Sequence, residues 1–458
     1  MPEGAAETVR RRTVVMERMG RGMLILLSGE PKNFSNDVFY PFRQENNLYY
    51  LTGINQPGIT LVLLPAGEAQ REILFLPKRD PSKEIWTGRM LSAEDARRRS
   101  GIPHIRAADE LEGFLDAVLG GAPDQAHPPG ASADDRDTTD VWLLLGDGAR
   151  SRALFDRERA FGDTLSARFA GIRLKDALPI FRDLRIVKSV YEQGLIRRAV
   201  GITCEAHRRV MTVVAPGMNE SELDGLIHAT YRRHGAQWGF PSIVGSGPNA
   251  TTLHYEENAR PMQDGELVLI DIGAEVDHYA ADVTRTIPVS GRYRPEQREI
   301  YDIVLRAQEA AIGAVRPGAS IRDVHNAAMA VLKAELKRIG LIADTSGTQY
   351  RLWFMHGTSH WLGMDVHDLG GRDTPFQPGM VLTVEPGVYV REDALDYLDR
   401  TPENEALIAA IRPAFERYKN IGVRLEDDVL VTEKGHELLS GAAPRTAGEI
   451  EAVMQNRK

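Results

Sequence analysis

Between residues 189 and 432 the chain spells out one pattern twice, and a repeat of that size leaves few folds open. Ser189-Val-Tyr-Glu192 is a capping box, and Leu195, Ala199, Ile202, Ala206, Val210 and Val213 follow it at helical spacing. That helix is expected to stop at Pro216-Gly217, and Asn219 with Glu222 opens another that closes at Gly235. In the second copy Pro295 opens a helix ending at Pro317-Gly318, and Ser320 starts one that runs to Gly340. Each helix pair leads through a histidine-containing strand region into an apolar strand that ends in an acid. These strands are Asp264-Gly-Glu-Leu-Val-Leu-Ile-Asp271 and Pro378-Gly-Met-Val-Leu-Thr-Val-Glu385. Gly265 and Gly379 lie 114 residues apart, as do Asp271 and Glu385, while His254 precedes Asp271 by 17 residues and His367 precedes Glu385 by 18. A second strand in each copy carries a further acid, Asp282 before Val-Thr-Arg-Thr and Glu426 before Asp-Asp-Val-Leu-Val-Thr. Duplicated helix–helix–strands units put equivalent carboxylates at equivalent places, so a pseudo-twofold α+β domain with its acids converging at the axis is expected.

The stretch from Asp264 to Ile287 reads as a β-hairpin, with two runs of Val, Ile, Leu and Thr around a polar break at Glu275 to His278. A turn centred between Val276 and Asp277 sets Asp271 opposite Asp282. Like charges facing across a ladder destabilise it, and a cation between them removes the cost. Asp271, Asp282, Glu385 and Glu426 all sit in apolar surroundings, where an unpaired charge must find a cation or a metal. Arg285 and Arg424 could neutralise two of the four in a structural ion-pair network. That leaves two acids over, and it gives no reason for His356, His360 and His367, packed into twelve residues. Gly357 and Gly363 oppose a helix there; on an extended segment His356 and His360 share a face. Four carboxylates and imidazole without thiolate favour Mn²⁺ first, then Co²⁺, Zn²⁺ or Fe²⁺. The ligand count suits two ions about 3.5–4 Å apart, whose shared water would titrate near roughly pH 7 and act as a hydrolase's nucleophile.

The remaining sequence narrows the setting. At 458 residues the chain accommodates two or three domains, and a net charge of -9 offers nothing to nucleic acid or an anionic membrane. The basic triplets at Arg10–Arg12 and Arg97–Arg99 read as solvated helix faces. Cys204 is the only cysteine, so no internal disulfide forms, as suits a reducing compartment. No segment approaches the roughly 18 apolar residues of a membrane span, and a soluble cytoplasmic protein is expected. Residues 1–180 read as an α/β domain, with strands at 23–27, 60–64, 72–76 and 141–145 alternating with helical patterns such as 108–119. Residues 120–140, rich in Pro, Gly and Asp, read as an exposed loop or insertion, and residues 181–458 as the catalytic domain. Gly245-Ser-Gly247-Pro-Asn-Ala lacks the third glycine of a dinucleotide fingerprint and reads as a loop. Trp86, taken alone, reads as a core aromatic.

VGSGPNATTLHY, LVLIDIGAEVDHYAADVTRTIPVSG, MHGTSHWLGMDVHD, LTVEPGVY and GVRLEDDVLVT, in this order, resemble the motifs of the pita-bread metallopeptidases. That family holds methionine aminopeptidase, prolidase, creatinase and aminopeptidase P, and the resemblance spans essentially the whole chain. NDVFYPFRQENNLYYLTG and EIWTGRM are similar to the N-terminal domain of the creatinase and aminopeptidase P branch. The resemblance implies hydrolysis of an N-terminal Xaa-Pro bond by a hydroxide bridging two divalent ions. It implies Asp271, Asp282, His360, Glu385 and Glu426 as metal ligands, with Asp282 and Glu426 bridging and Glu385 also moving a proton. His254, His356 and His367 would line the substrate site, and Tyr389 and Arg424 would orient Asp271. Arg424 stands two residues before Glu426, on the same strand face. Asp37 and Trp86 would reach a neighbouring subunit's site in a homodimer or homotetramer. The segment after His367 is shorter than the family pattern, so the substrate contact that the family would give Arg372 is not carried over. A dipeptidase for Xaa-Pro is the nearest rival, and a pita-bread binding protein without catalysis the more distant one. The metal-free creatinase chemistry fits less well, because all five implied ligands are present.

Overall fold

The computed structural model describes residues 3–65, 71–120, 139–146 and 153–456. Most of the insertion expected over residues 120–140 lies outside the described residues. The chain divides into two compact units, Met1–Leu184 and Arg185–Lys458.

The first unit is built on a six-stranded mixed sheet in the order His104–Ala107, Arg71–Leu76, Thr60–Leu64, Met23–Leu27, Thr139–Leu143, Ile172–Asp176. The central strands are almost continuously apolar and buried on both faces, the pattern of a sheet covered on both sides. Met23, Ile25, Val62, Phe75, Val141 and Leu143 pack with Phe114 and Leu165 from the flanking helices. Helix Glu3–Met19 brings a correction. Of the basic triplet assigned to solvent, Arg11 and Arg12 are buried. Arg11 Nη1 donates to Tyr50 O and Arg12 Nη1 to Leu51 O (3.0 and 2.6 Å), and Arg12 Nε pairs with Glu72 Oε2 (2.9 Å). Those carbonyls close helix Asn46–Thr52, and the last carbonyls of a helix need donors from outside it. The triplet at Arg97–Arg99 is exposed, as expected.

In the second unit the duplication is visible element by element. Helices Val190–Val213 and Glu220–Arg233 begin at the Ser189 and Asn219 capping boxes; helices Pro295–Gly313 and Ile321–Arg338 are their counterparts. The first copy then forms a hairpin whose register holds one offset throughout, from Leu267↔Pro288 to Asp271↔Thr284 and on to Val276↔Tyr279. The turn is Asp277-His278, both at positive φ (49° and 68°), as a two-residue type I′ turn requires. The centre therefore lies one residue later than the polar break suggests. Asp271 faces Thr284, and the same offset puts Gly273 opposite Asp282.

The second copy runs the same ladder with its hairpin split open. Val381–Val384 pairs with Asp427–Thr432 and Gly387–Tyr389 with Gly422–Arg424, again at one constant offset. Glu385 and Glu426 fall opposite each other in the gap between these pairings. Their N–H groups donate elsewhere, to Thr358 O and Thr284 O (2.8 and 3.1 Å). Helix Pro402–Tyr418 occupies the connection that is a two-residue turn in the first copy. The histidine-bearing segments are irregular and not strands, apart from one bridge, Trp361↔Leu382. The glycine-rich run is likewise no simple loop: Ile243–Ser246 is a strand and Gly247–Thr251 a 3₁₀ turn.

Candidate metal centre

Asp271 ends the apolar strand Leu267–Ile272, Asp282 precedes Val283–Pro288, Glu385 follows Val381–Val384, and Glu426 precedes Asp427–Thr432. Rigid ladders thus present all four acids from strands or strand ends. Asp271, Asp282 and Glu426 are buried, and Glu385 is nearly so. Ligand atoms of Asp282, His360 and Glu426 come within 4.8 Å of one another, a group that could hold a metal ion. His360 Nε2 lies 3.4 Å from Asp282 Oδ2 and 3.6 Å from Glu385 Oε1.

Charge bookkeeping separates this cluster from an ion-pair network. Arg424 Nη2 donates to Asp271 Oδ2 at 2.5 Å. Arg285, the other cation offered by the sequence, instead pairs with Asp427 at 2.7 Å. That leaves Asp282, Glu385 and Glu426 facing one another without an arginine or lysine among the described ion pairs. Burial first, and then Glu426 and Asp271, raise the Asp282 carboxyl well above the aspartate range. Burial and Glu426 do the same to Glu385, and burial with Asp271 pushes Glu426 up to about 8. Asp271 Oδ1 and Asp282 Oδ1 are buried with no hydrogen-bond partner among the described residues. Buried oxygens without donors cost free energy unless a cation takes them, so this donor set fits divalent metal.

The histidines are prepared in the same sense. Burial and His367 push His360 down to about 4, so the ring is neutral at physiological pH. Its Nδ1 stands 3.1 Å from Trp361 O and must donate there, which leaves the Nε2 lone pair aimed at the acids. Burial and Arg424 push His356 down to about 3. Arg424 Nη1 donates to Tyr389 Oη (3.1 Å) and Tyr389 stands 2.7 Å from His356 Nε2. Because Arg424 can only donate, the Tyr389 hydroxyl donates to Nε2. His356 then carries its proton on Nδ1, directed at Gly357 O (2.8 Å) and 3.5 Å from Glu385 Oε2. The His367 ring packs edge-on against His360, centroids 4.5 Å apart. Its neighbour Asp368 is pinned by Arg185 and Lys188 (2.6 and 3.3 Å). His254 is exposed on the turn after Gly247–Thr251 and forms no hydrogen bond or ion pair with the four acids among the described residues.

The two residues assigned from the first unit lie on its surface. Asp37 is exposed between Asn33–Ser35 and Val38–Phe39. Trp86, read in isolation as a core aromatic, is 87% exposed, on a helix (Pro81–Thr87) with no buried residue.

Three functional neighbours carry no mark in the sequence reading. Thr284 Oγ1 donates to Glu426 Oε2 (2.7 Å) and accepts from Arg424 Nε (3.2 Å). Asp428 Oδ2 accepts the Asp282 N–H (3.0 Å). Thr358 joins His325 Nδ1 at 2.8 Å. Strand alternation from Asp282 points to Thr284, and Asp427-Asp428 inside an apolar run is a signal for Asp428; nothing local marks Thr358.

A twinned strand unit whose paired acids and one neutral imidazole converge at its pseudo-axis is the architecture of a pita-bread metallopeptidase. Metallopeptidase family M24 matches residues 194–433, and the aminopeptidase P N-terminal domain matches residues 8–126. The chain belongs to metallopeptidase family M24 and is a hydrolase that uses divalent metal. It is 38% identical to the Xaa-Pro aminopeptidase of Escherichia coli (strain K12) over 98% of this chain and 97% of that protein. Among solved structures it is similar to a glutamate-to-alanine variant of E. coli aminopeptidase P in complex with substrate (TM-score 0.83, 35% identity, 99% and 98% of the two chains). A zinc-substituted form in complex with product is similar too (TM-score 0.84, 35% identity, 99% of each chain). No described helix is long and apolar enough to cross a membrane.

Proposed function

We propose that the protein is an aminopeptidase that removes the N-terminal residue preceding proline, with Asp271, Asp282, His360, Glu385 and Glu426 holding two divalent ions. The observation that carries this reading is the buried set of carboxylates left without arginine or lysine around a bare imidazole nitrogen. Bound there, the ions supply Lewis acidity and a water acid enough to attack at neutral pH. Ligand hardness makes Mn²⁺ the first choice of ion. Arg424 and Tyr389 hold Asp271 and His356 in place, and the histidines lining the substrate site stabilise negative charge growing on the scissile carbonyl oxygen. Glu385 moves the attacking water's proton to the proline nitrogen, which cannot leave unprotonated. His254 and His367 contact the proline side.

Full-length identity to Xaa-Pro aminopeptidases, N-terminal domain included, supports aminopeptidase over dipeptidase. We further propose a homodimer or homotetramer with Asp37 and Trp86 at the subunit contact, in the cytoplasm. The test strips the metal, restores Mn²⁺ and follows an Xaa-Pro-Pro tripeptide and an Xaa-Pro dipeptide by mass spectrometry. Release of the first residue from the tripeptide is expected; turnover of the dipeptide alone would make the protein a dipeptidase.

A further inference from the structure

His367 stands on a segment, residues 362–371, that has neither helix nor strand to fix its direction. Its backbone is tied where the Asp368 N–H donates to Trp361 O and the Ala280 N–H donates to Gly363 O (both 2.9 Å). Between those ties lies a buried ion cluster. Arg185 Nη2 donates to Asp368 Oδ1 and to Asp365 Oδ2 (2.6 and 2.7 Å), and Lys188 Nζ lies 3.3 Å from Asp368 Oδ2. The side chains of Asp368, Arg185 and Lys188 are 1%, 2% and 1% exposed, while His367 beside them is exposed. Gly363 makes room for the Asp368 carboxylate, which a Cβ there would overlap.

Both cations come from the strap with which the second unit begins. Val187 bridges Met380 and Trp361 bridges Leu382, and the Lys188 N–H donates to Gly379 O (2.9 Å). Strap and histidine segment therefore lie along the strand Val381–Val384 and its approach, just before Glu385. Burial by itself would raise the Asp368 carboxyl, but Arg185 and Lys188 outweigh it and hold it below the aspartate range. Apolar side chains could close this corner without the cost of taking ions out of water. What charges add is direction, because a guanidinium fork admits few arrangements of the carboxylates around it.

We propose that Arg185 and Lys188 are positioning residues for the reaction: through the Asp368 carboxylate they set the direction of His367, and so its contact with substrate. The inference rests on the reading of His367 as a substrate-side residue given above. Neither cation is among the residues assigned to substrate or metal. Their effect reaches the site through one peptide unit and through the His367 ring, packed edge-on against His360 with centroids 4.5 Å apart.

The test uses the full-length, metal-loaded protein with Ala-Pro-Pro as substrate, and makes each substitution in two backgrounds, wild type and His367→Ala. Asp368→Asn keeps the shape and removes the charge. In the wild-type background its kcat/KM is expected to fall about 10- to 100-fold, the scale of a misplacement of about 1 Å. In the His367→Ala background the same substitution should change kcat/KM by less than about twofold, because no ring is left to place. Arg185→Lys keeps the charge but not the fork that serves Asp365 and Asp368 together. It should show a smaller loss with the same dependence on His367, and it decides the question if Asp368→Asn does not fold. Metal content, read by elemental analysis, should remain that of the wild type throughout. Losses of equal size in both backgrounds, as a purely structural role gives, or a folded Asp368→Asn with wild-type kcat/KM, overturn the proposal. A His367→Ala protein as active as wild type removes the substrate-side reading of His367 and the proposal with it. Failure of the wild type to cleave Ala-Pro-Pro is a different result, and it removes the aminopeptidase reading together with both.

Discussion

Asp282 has little reason to ionise unless a cation stands beside it, and this makes the metal-free protein sensitive to pH in a definite direction. Its pKa and that of Glu385 are raised by burial and by the neighbouring acids, and Glu426 is pushed up to about 8 by burial and Asp271. Groups whose pKa is higher in the folded than in the unfolded state stabilise fully below the unfolded value and lose that contribution as pH rises through the folded one. His356 and His360 act in the opposite sense: pushed down to about 3 and about 4, chiefly by burial, they contribute fully above the ordinary imidazole pKa of about 6.5. Between about pH 6.5 and about pH 8, therefore, only the carboxylates of this cluster change. Thermal unfolding of metal-stripped protein should show a Tm that falls across that window, and restored metal should abolish the fall. A pH-independent Tm in the stripped protein would contradict the charge assignment. Asp271→Ala and Glu426→Ala should each leave a folded protein with essentially no peptidase activity, measurable by circular dichroism and turnover together. Tyr389→Phe removes one hydroxyl between Arg424 and His356 and should lower kcat by about tenfold or more. Its stability cost should stay near 1 kcal/mol, because Arg424 keeps Asp271.

The elements show which parts of the site can be read in advance. A hairpin between Asp264 and Ile287 follows from two β-rich runs and a polar break, yet the break spans four residues and does not mark its own centre. Glu275 looks like turn but pairs with Ala280, and Asp277-His278 adopts positive φ without the Asn-Gly signature that identifies such turns. Moving the centre by one residue is enough to exchange Asp271 for Gly273 as the partner of Asp282. The like-charge confrontation expected in the first copy occurs in the second, between Glu385 and Glu426. Gly273 tests this register: a Cβ there would overlap Ala281 O. Gly273→Ala should cost at least about 1–3 kcal/mol and reduce metal content, read by unfolding and elemental analysis. Wild-type values on both counts would show that the strand tolerates a different register.

For the whole molecule, periodicity and duplication were informative because they are local and repeated. Capping boxes at Ser189 and Asn219, the helix pairs and the acid-terminated strands all lie where spacing puts them. Partners distant in sequence were not legible. Arg424 reaches Asp271 across 153 residues and Arg285 reaches Asp427 across 142; the first pairing was implied by the resemblance and not by spacing, and the second only the folded chain shows. Arg12 meets Glu72 and Leu51 for the same reason. Helix Pro402–Tyr418, which the first copy lacks, shows that duplication constrains the ladders and leaves their connections free. The claim on which everything else depends is that the two copies jointly build a two-ion site. Elemental analysis of the metal-loaded protein, calibrated by amino-acid analysis, tests it most directly. Two divalent ions per chain are predicted, falling sharply in Asp282→Ala, and a wild-type protein that retains none, or binds equally well without Asp282, would contradict the account.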